Sequence, residues 1–71
     1  NIQLDENFFG HLQQMQERFV SDIPSLLECL SLKVQGDVHF GSKIICRGQV
    51  EIFSSHEVFL GNRVLEGSIN L

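Results

Sequence analysis

The sequence predicts an all-β fold with N-terminal helices, in which a short single-stranded left-handed parallel β-helix follows one amphipathic helix and a short helical turn. Three rows of residues, each spaced by six, lead to this prediction. Two rows are apolar and the third is small: Leu32, Val38, Ile44 and Val50; Val34, Phe40, Cys46, Ile52, Val58 and Val64; Gly36, Ser42, Gly48 and Ser54. Each face of a triangular coil is about six residues long, with two inward side chains and a small residue at the corner. An antiparallel meander would explain the alternation but not the recurring small residue.

The composition limits the size of the fold and the kinds of partner that the chain can bind. Its 71 residues allow one structural domain, in which residues 1–30 form a helical lead-in packed on a β-helix of residues 31–71. Five basic residues stand against nine acidic ones without a basic cluster, so neither nucleic acid nor an anionic membrane is expected as a partner. There is no apolar run of about 20 residues and no signal-peptide pattern. Cys29 and Cys46 lack metal-site spacing and are expected to be free thiols of a cytoplasmic protein. Because the first residue is not Met, we expect a fragment.

The N-terminal third predicts two helical segments. Phe8, Leu12, Met15 and Phe19 recur at helical spacing and predict a helix over residues 7–19, capped by Asp5 or Asn7. Gly10 weakens its first turn, so the helix could also begin after it. Pro24 predicts a short helical turn over residues 24–28, with Asp22 as a possible cap. The leucines of this segment would then cover the open end of the first coil: Leu26, Leu27 and Leu30.

The last third contains a competing apolar row. Phe53, Phe59 and Leu65 are also six residues apart. They pack outward under the N-terminal helix, mark a shift of phase by one residue, or are exposed and form a candidate interface. The sequence leaves these alternatives open.

No pattern of residues predicts a catalytic site, a cofactor or a metal site in this chain. The carboxylates are expected on solvated outward or corner positions: Asp37, Glu51, Glu57 and Glu66. His39 is expected to point outward and to form a surface pair with Glu51. Cys46 is expected to point inward, so it cannot share a metal with His39 or His56. Acyltransferases with hexapeptide repeats use the same coils for catalysis, but they need many more of them.

Several motifs in order resemble the C-terminal region of eukaryotic UDP-glucose pyrophosphorylases. They are Arg18-Phe19, Ile23-Pro24-Ser25-Leu26, Glu28, S-L-K-V-Q-G-D-V-H-F-G from Ser31 to Gly41, and Arg47-Gly48-Gln49-Val50. Order and spacing agree over roughly three quarters of the chain. The following segment departs from the family, since residues 54–71 are short, lack proline and keep only Val64-Leu65-Glu66 of its pattern.

The resemblance implies a fold and a parent reaction. In that family a large nucleotide-binding domain makes UDP-glucose and pyrophosphate from UTP and glucose-1-phosphate with magnesium, and none of its motifs is present here. The C-terminal part is a left-handed β-helix that joins subunits into octamers in animal and fungal enzymes, whereas plant and protozoan relatives are often monomeric. The resemblance therefore implies a non-catalytic oligomerisation or regulatory domain, whose partner is a second copy or the parent catalytic domain. The alternatives are a stand-alone β-helix interaction module and a minimal acyltransferase-like protein.

Overall fold

The structure is a computed structural model that describes residues 1–21 and 23–71. Within these ranges it contains six strands and two short helices. In chain order they are β1 (Ile2–Leu4), α1 (Glu6–Phe9), α2 (Leu12–Arg18), β2 (Ser25–Gln35), β3 (Val38–Phe40), β4 (Ile44–Phe53), β5 (Val58–Leu60) and β6 (Arg63–Asn70). One sheet has the order β1-β2-β4-β6 and the other pairs β3 with β5. All these pairings are parallel, so the antiparallel meander is wrong.

The strands stack in successive layers, and the corners between strands set their register. Leu32 pairs with Val50, eighteen residues on, as three faces of six predict. The corner between β4 and β5 has four residues, whereas the corner between β2 and β3 has two. These two extra residues place Val58 beside Val38, twenty residues on. A shorter corner and an irregularity in the pairing of β4 with β6 then reduce the offset to nineteen and finally seventeen.

The core follows the predicted rows only as far as the long corner. The predicted inward side chains from Leu32 to Ile52 are buried: Leu32, Val34, Val38, Phe40, Ile44, Cys46, Val50 and Ile52. After the corner, Leu60 and Leu65 are buried, whereas Val64 is 45% exposed. The inward assignment of Val64 is therefore wrong, and the one-residue shift of phase explains Leu65.

Replacing Leu65 and Val64 in turn tests this shift. Leu65→Ala should lower the free energy of unfolding by about 2–3 kcal/mol, the low end for a buried leucine, because the edge strand β6 can relax around the void. Val64→Ala should change it by less than about 1 kcal/mol. Urea unfolding of both variants provides the measurement. A larger loss for Val64→Ala would contradict the shifted phase.

The predicted helix over residues 7–19 is two helices. Asp5 caps α1 by accepting a hydrogen bond from the Asn7 amide at 3.0 Å, and His11 then adopts an extended backbone. The Gln14 side-chain oxygen accepts from the Gly10 and His11 amides at 2.9 and 3.2 Å. Gln14 therefore satisfies donors that an interrupted helix would otherwise leave free.

The apolar face of these helices also differs from the predicted stripe. Phe9 is buried and Leu12 is 70% exposed, whereas Phe8, Met15 and Phe19 pack partly against the core. The break after α1 rotates the face that each helix presents. With four and seven residues, α1 and α2 are too short to cross a bilayer, and the described ranges hold no other helix.

The predicted helical turn after Pro24 is wrong. Residues 25–28 belong to β2, where Ser25 pairs with Ile45 and Glu28 with Arg47. Pairing with β4 satisfies their backbone groups, and Arg47 Nε donates to Glu28 Oε2 at 2.8 Å. Leu27 and Leu30 are 97% and 72% exposed, so they do not cover the end of the stacked strands, whereas Leu26 packs partly against the core. Asp22 lies outside the described residues.

Candidate functional site

Three titratable side chains meet where β3 and β5 begin. The parallel register places Asp37 beside Glu57, each one residue before its strand, and the Val58 amide donates to the Asp37 carbonyl at 2.9 Å. His39 Nε2 lies 3.0 Å from Asp37 Oδ1 and 3.2 Å from Glu57 Oε2. We call Asp37, His39 and Glu57 the corner cluster.

Helix α2 and strand β5 enclose the corner cluster. Arg18 Nε donates to Asp37 Oδ1 at 2.9 Å, and the Glu17 carbonyl oxygen lies 3.3 Å from His39 Nδ1. The Phe59 ring stacks on the His39 ring with centroids 4.3 Å apart. The side chains of His39 and Asp37 are consequently 12% and 19% exposed, whereas that of Glu57 is 56% exposed.

These contacts correct the sequence prediction for His39. His39 does point away from the core, but α2 and Phe59 cover it, and its close acidic neighbours are Asp37 and Glu57 rather than Glu51. Asp37 is likewise mostly buried rather than solvated. The predicted eighteen-residue offset would have placed Glu57 beside His39, whereas the observed offset of twenty places it beside Asp37.

The protonation of the ring decides what the corner cluster can do. A carbonyl oxygen only accepts, so the contact with Glu17 assigns the proton of a neutral imidazole to Nδ1. The lone pair of Nε2 then faces two carboxylates. Nε2 is buried and has no hydrogen-bond partner, although Asp37 Oδ1 and Glu57 Oε2 lie 3.0 and 3.2 Å from it. A proton or a metal cation at this point would relieve the repulsion among these acceptors, and the three ligand atoms lie within 4.8 Å of one another.

The structure separates the three residues of the predicted candidate interface. Phe59 is 68% exposed and Leu65 is fully buried. Phe53 is half-buried beneath Lys33, whose Nζ lies 6.0 Å from the ring centroid. Of this row, Phe59 alone offers a large apolar surface.

The two cysteines are free thiols that face the interior. Cys46 is buried and Cys29 is partly buried against the core. Burial, and secondarily the charge of Cys29, raises the pKa of Cys46 to about 11. Cys46 is therefore protonated at neutral pH, and a thiol in that form is a poor nucleophile. His56 is exposed at the long corner, and no metal-ligating cluster among the described residues includes it or Cys46.

Solved structures of other proteins contain the same fold. A UDP-glucose phosphorylase from Trypanosoma brucei superposes with a TM-score of 0.91 at 28% identity, covering 99% of this chain and 16% of that one. A mutant UDP-glucose pyrophosphorylase from Leishmania major gives a TM-score of 0.91 at 21% identity, with the same coverage. A second mutant of that enzyme, in complex with UDP-glucose, gives 0.86 at 23% identity and covers 97% of this chain and 15% of that one.

The stacked parallel strands and their two helices thus define a fold found within nucleotide-sugar pyrophosphorylases. The family model for UTP–glucose-1-phosphate uridylyltransferase matches residues 1–47, about two thirds of the chain. The chain belongs to this family. It spans about one sixth of the length of the solved structures it matches.

Proposed function

We propose that this chain is the non-catalytic C-terminal domain of a UDP-glucose pyrophosphorylase and that it serves subunit association or regulation. The family match, together with similarity to only one sixth of the solved structures, carries this proposal. The sequence contains no glycine-rich phosphate loop that opens a long helix. The reaction of UTP with glucose-1-phosphate, and its magnesium, then belong to the rest of the protein. We place this protein in the cytoplasm.

We also propose that the two sheets are faces of a left-handed β-helix. Offsets of seventeen to twenty residues correspond to about one coil of three faces. Gly36, with a φ of +109°, and Ser54 occupy the same corner in successive layers, as the row of small residues predicts. In a stack of this kind each layer contacts only its neighbours, so the last layer depends on a cap or a partner.

The absence of activity in the isolated chain is one expected result. The 71-residue chain should form no UDP-glucose from UTP and glucose-1-phosphate, because its sequence contains no glycine-rich loop to bind the triphosphate. The measurement is product formation with the full-length protein as the positive control. UDP-glucose made by the pure chain at a rate near that control would contradict a non-catalytic role.

Self-association is the second expected result. Strand β6 leaves one edge of the larger sheet unpaired, and the exposed Phe59 adds apolar surface beside the smaller sheet. We expect a dimer or a larger species in sedimentation at high concentration, weakened by Phe59→Ser. Leu27→Ser is the matched control, because Leu27 is equally apolar and 97% exposed but lies at the start of β2. A monomer up to millimolar concentration, or equal effects of both substitutions, would contradict association through Phe59.

A stand-alone interaction module is the second candidate function. Three exposed apolar side chains favour a partner near the start of β2. Ile23, just before the strand, is 73% exposed, and Leu27 and Leu30, within it, are 97% and 72% exposed. The sequence that precedes this chain in its gene separates the two hypotheses. A nucleotide-binding domain in that sequence would support the pyrophosphorylase domain, and its absence would support the module.

A further inference from the structure

We propose that Asp37, His39 and Glu57 form a binding site for a divalent transition-metal cation of the zinc class. The site is separate from the magnesium that the proposed parent reaction uses, and it does not depend on the proposed function. One imidazole nitrogen and two carboxylate oxygens are ligands that zinc accepts, with a fourth position left for water. Three protein donors, one of them a nitrogen, suit neither the six to eight oxygens of calcium nor the oxygen octahedron of magnesium.

The orientation of the imidazole is the first argument. A metal-binding histidine typically donates its other ring N–H to a backbone carbonyl or a carboxylate, which fixes the tautomer and aims the free nitrogen. In this structure the Glu17 carbonyl oxygen, near the end of α2, accepts a hydrogen bond from Nδ1, and the stacked Phe59 ring fixes the plane of the imidazole from one side. His39 Nε2 is thereby held as a buried lone pair without a hydrogen bond, directed toward the two carboxylates.

Distances between the ligand atoms are the second argument. Bonds of about 2.0–2.2 Å to a tetrahedral ion require the ligands to be about 3.3–3.6 Å apart. Nε2 lies 3.0 Å from Asp37 Oδ1 and 3.2 Å from Glu57 Oε2, so these two pairs need shifts of only a few tenths of an ångström, and all three ligand atoms lie within 4.8 Å of one another. Two ligands of one ion lie beside the axis of each other's lone pair, because the ion occupies that axis. The two oxygens lie close to Nε2 without a hydrogen bond between them, as ligands of one ion would.

The surrounding charges are the third argument. Arg18 donates to Asp37 Oδ1 and orients that carboxylate, as hydrogen-bonded partners of ligating carboxylates do. Because a metal-binding imidazole must be neutral, two carboxylates and one guanidinium leave one net negative charge at a largely enclosed point. Glu57 is 56% exposed, so an ion can enter the site from its side, and the Glu57 carboxylate can then bind that ion.

Titration with Co²⁺, whose visible absorption intensifies in a four-coordinate site, tests the proposal; Zn²⁺ then displaces the Co²⁺. His39→Asn keeps a donor toward the Glu17 carbonyl but removes the ligand at Nε2, and Glu57→Gln removes one carboxylate at a half-exposed position. His56→Asn is the matched control, because His56 is exposed one residue from Glu57 and outside the corner cluster.

The unaltered protein and His56→Asn should develop the same Co²⁺ absorption with one ion bound. His39→Asn should lose affinity by more than the 10–100-fold that changes to outer partners cause. Glu57→Gln, which leaves the core untouched, should weaken binding even if His39→Asn does not fold. No Co²⁺ or Zn²⁺ uptake by the unaltered protein would overturn the proposal and would assign a proton to Nε2 instead. An equal loss in His56→Asn, or unchanged binding in Glu57→Gln, would also overturn it.

Discussion

Replacing Phe40 with Ala should lower the free energy of unfolding by about 3–5 kcal/mol, the range found when a buried phenylalanine is truncated. Phe40 is fully buried and its ring stacks on Phe19 at 5.3 Å, with Phe9 at 6.5 Å. On its other side Leu60 is its partner in the next strand. The void would therefore open between α1, the end of α2 and both layers of the smaller sheet, where no single element can move in to fill it. A domain of this size has little more stability than that to lose.

Phe59→Ala is the matched control for this prediction. The chemical change is the same, but the Phe59 side chain is 68% exposed and its main contact is the stacked His39 ring. Its loss should cost about 1 kcal/mol, as expected for one aromatic pair at a surface. Thermal and urea unfolding of both variants decide the matter. If Phe59→Ala destabilises the protein as much as Phe40→Ala does, the assignment of inward and outward positions is wrong.

The burial of Phe40 was predictable from the sequence, but its neighbours were not. The spacing of six correctly assigns the inward side chains from Leu32 to Ile52, because the pleat alternates and residues 31–35 pair with β4 at an offset of eighteen. Eighteen residues on from Phe40 stands Val58, which the repeat predicts as its neighbour in the next layer. The observed neighbour is Leu60, since the corner after β4 is two residues longer. Corner length depends on local turn conformation, and an apolar repeat carries no information about it.

The two extra residues in the corner between β4 and β5 also explain why the sequence does not predict the corner cluster. A regular repeat pairs Asp37 with Ser55, and only an offset of twenty pairs it with Glu57. The cover provided by α2 was also not readable, because it depends on the break between α1 and α2 near Gly10 and on the parallel bridge between Phe19 and Phe40. A signal was present in one respect: D-V-H and E-V-F each place an acidic residue two positions before an aromatic ring.

The segment after Pro24 shows how tertiary pairing overrides local preference. Proline at the first position and leucines at helical spacing favour a helical turn. In the structure the backbone of residues 25–28 pairs with β4, and Glu28 lies between Arg47 and solvent. The same hydrogen bond with Glu28 raises the pKa of the Arg47 guanidinium, whose side chain is about half exposed. Strand pairing with a distant segment is a long-range effect that a four-residue window cannot reveal.

Gly36→Ala should be the other strongly destabilising substitution, with a cost of about 2–6 kcal/mol from backbone strain and steric overlap together. Gly36 has a φ of +109°, a conformation that L residues with a side chain rarely adopt. An added Cβ would collide with the carbonyl oxygen of Ser54 in the next layer. That oxygen belongs to the backbone and cannot rotate away, because the Ser54 amide donates to Gln35 at 2.9 Å and ties the two corners together.

Gly67→Ala separates the two contributions to this cost. Gly67 also has a positive φ, +73°, but no heavy atom lies within 4 Å of the position of its Cβ. Its substitution should therefore cost only the left-handed backbone conformation, about 1–2 kcal/mol. The Gly36 amide additionally donates to Asp5 Oδ2 at 2.9 Å, so a shifted corner would loosen the start of α1 as well. Urea unfolding should show a clearly larger loss of unfolding free energy for Gly36→Ala than for Gly67→Ala. Equal losses for the two variants would mean that the two layers do not approach each other at the Gly36 corner.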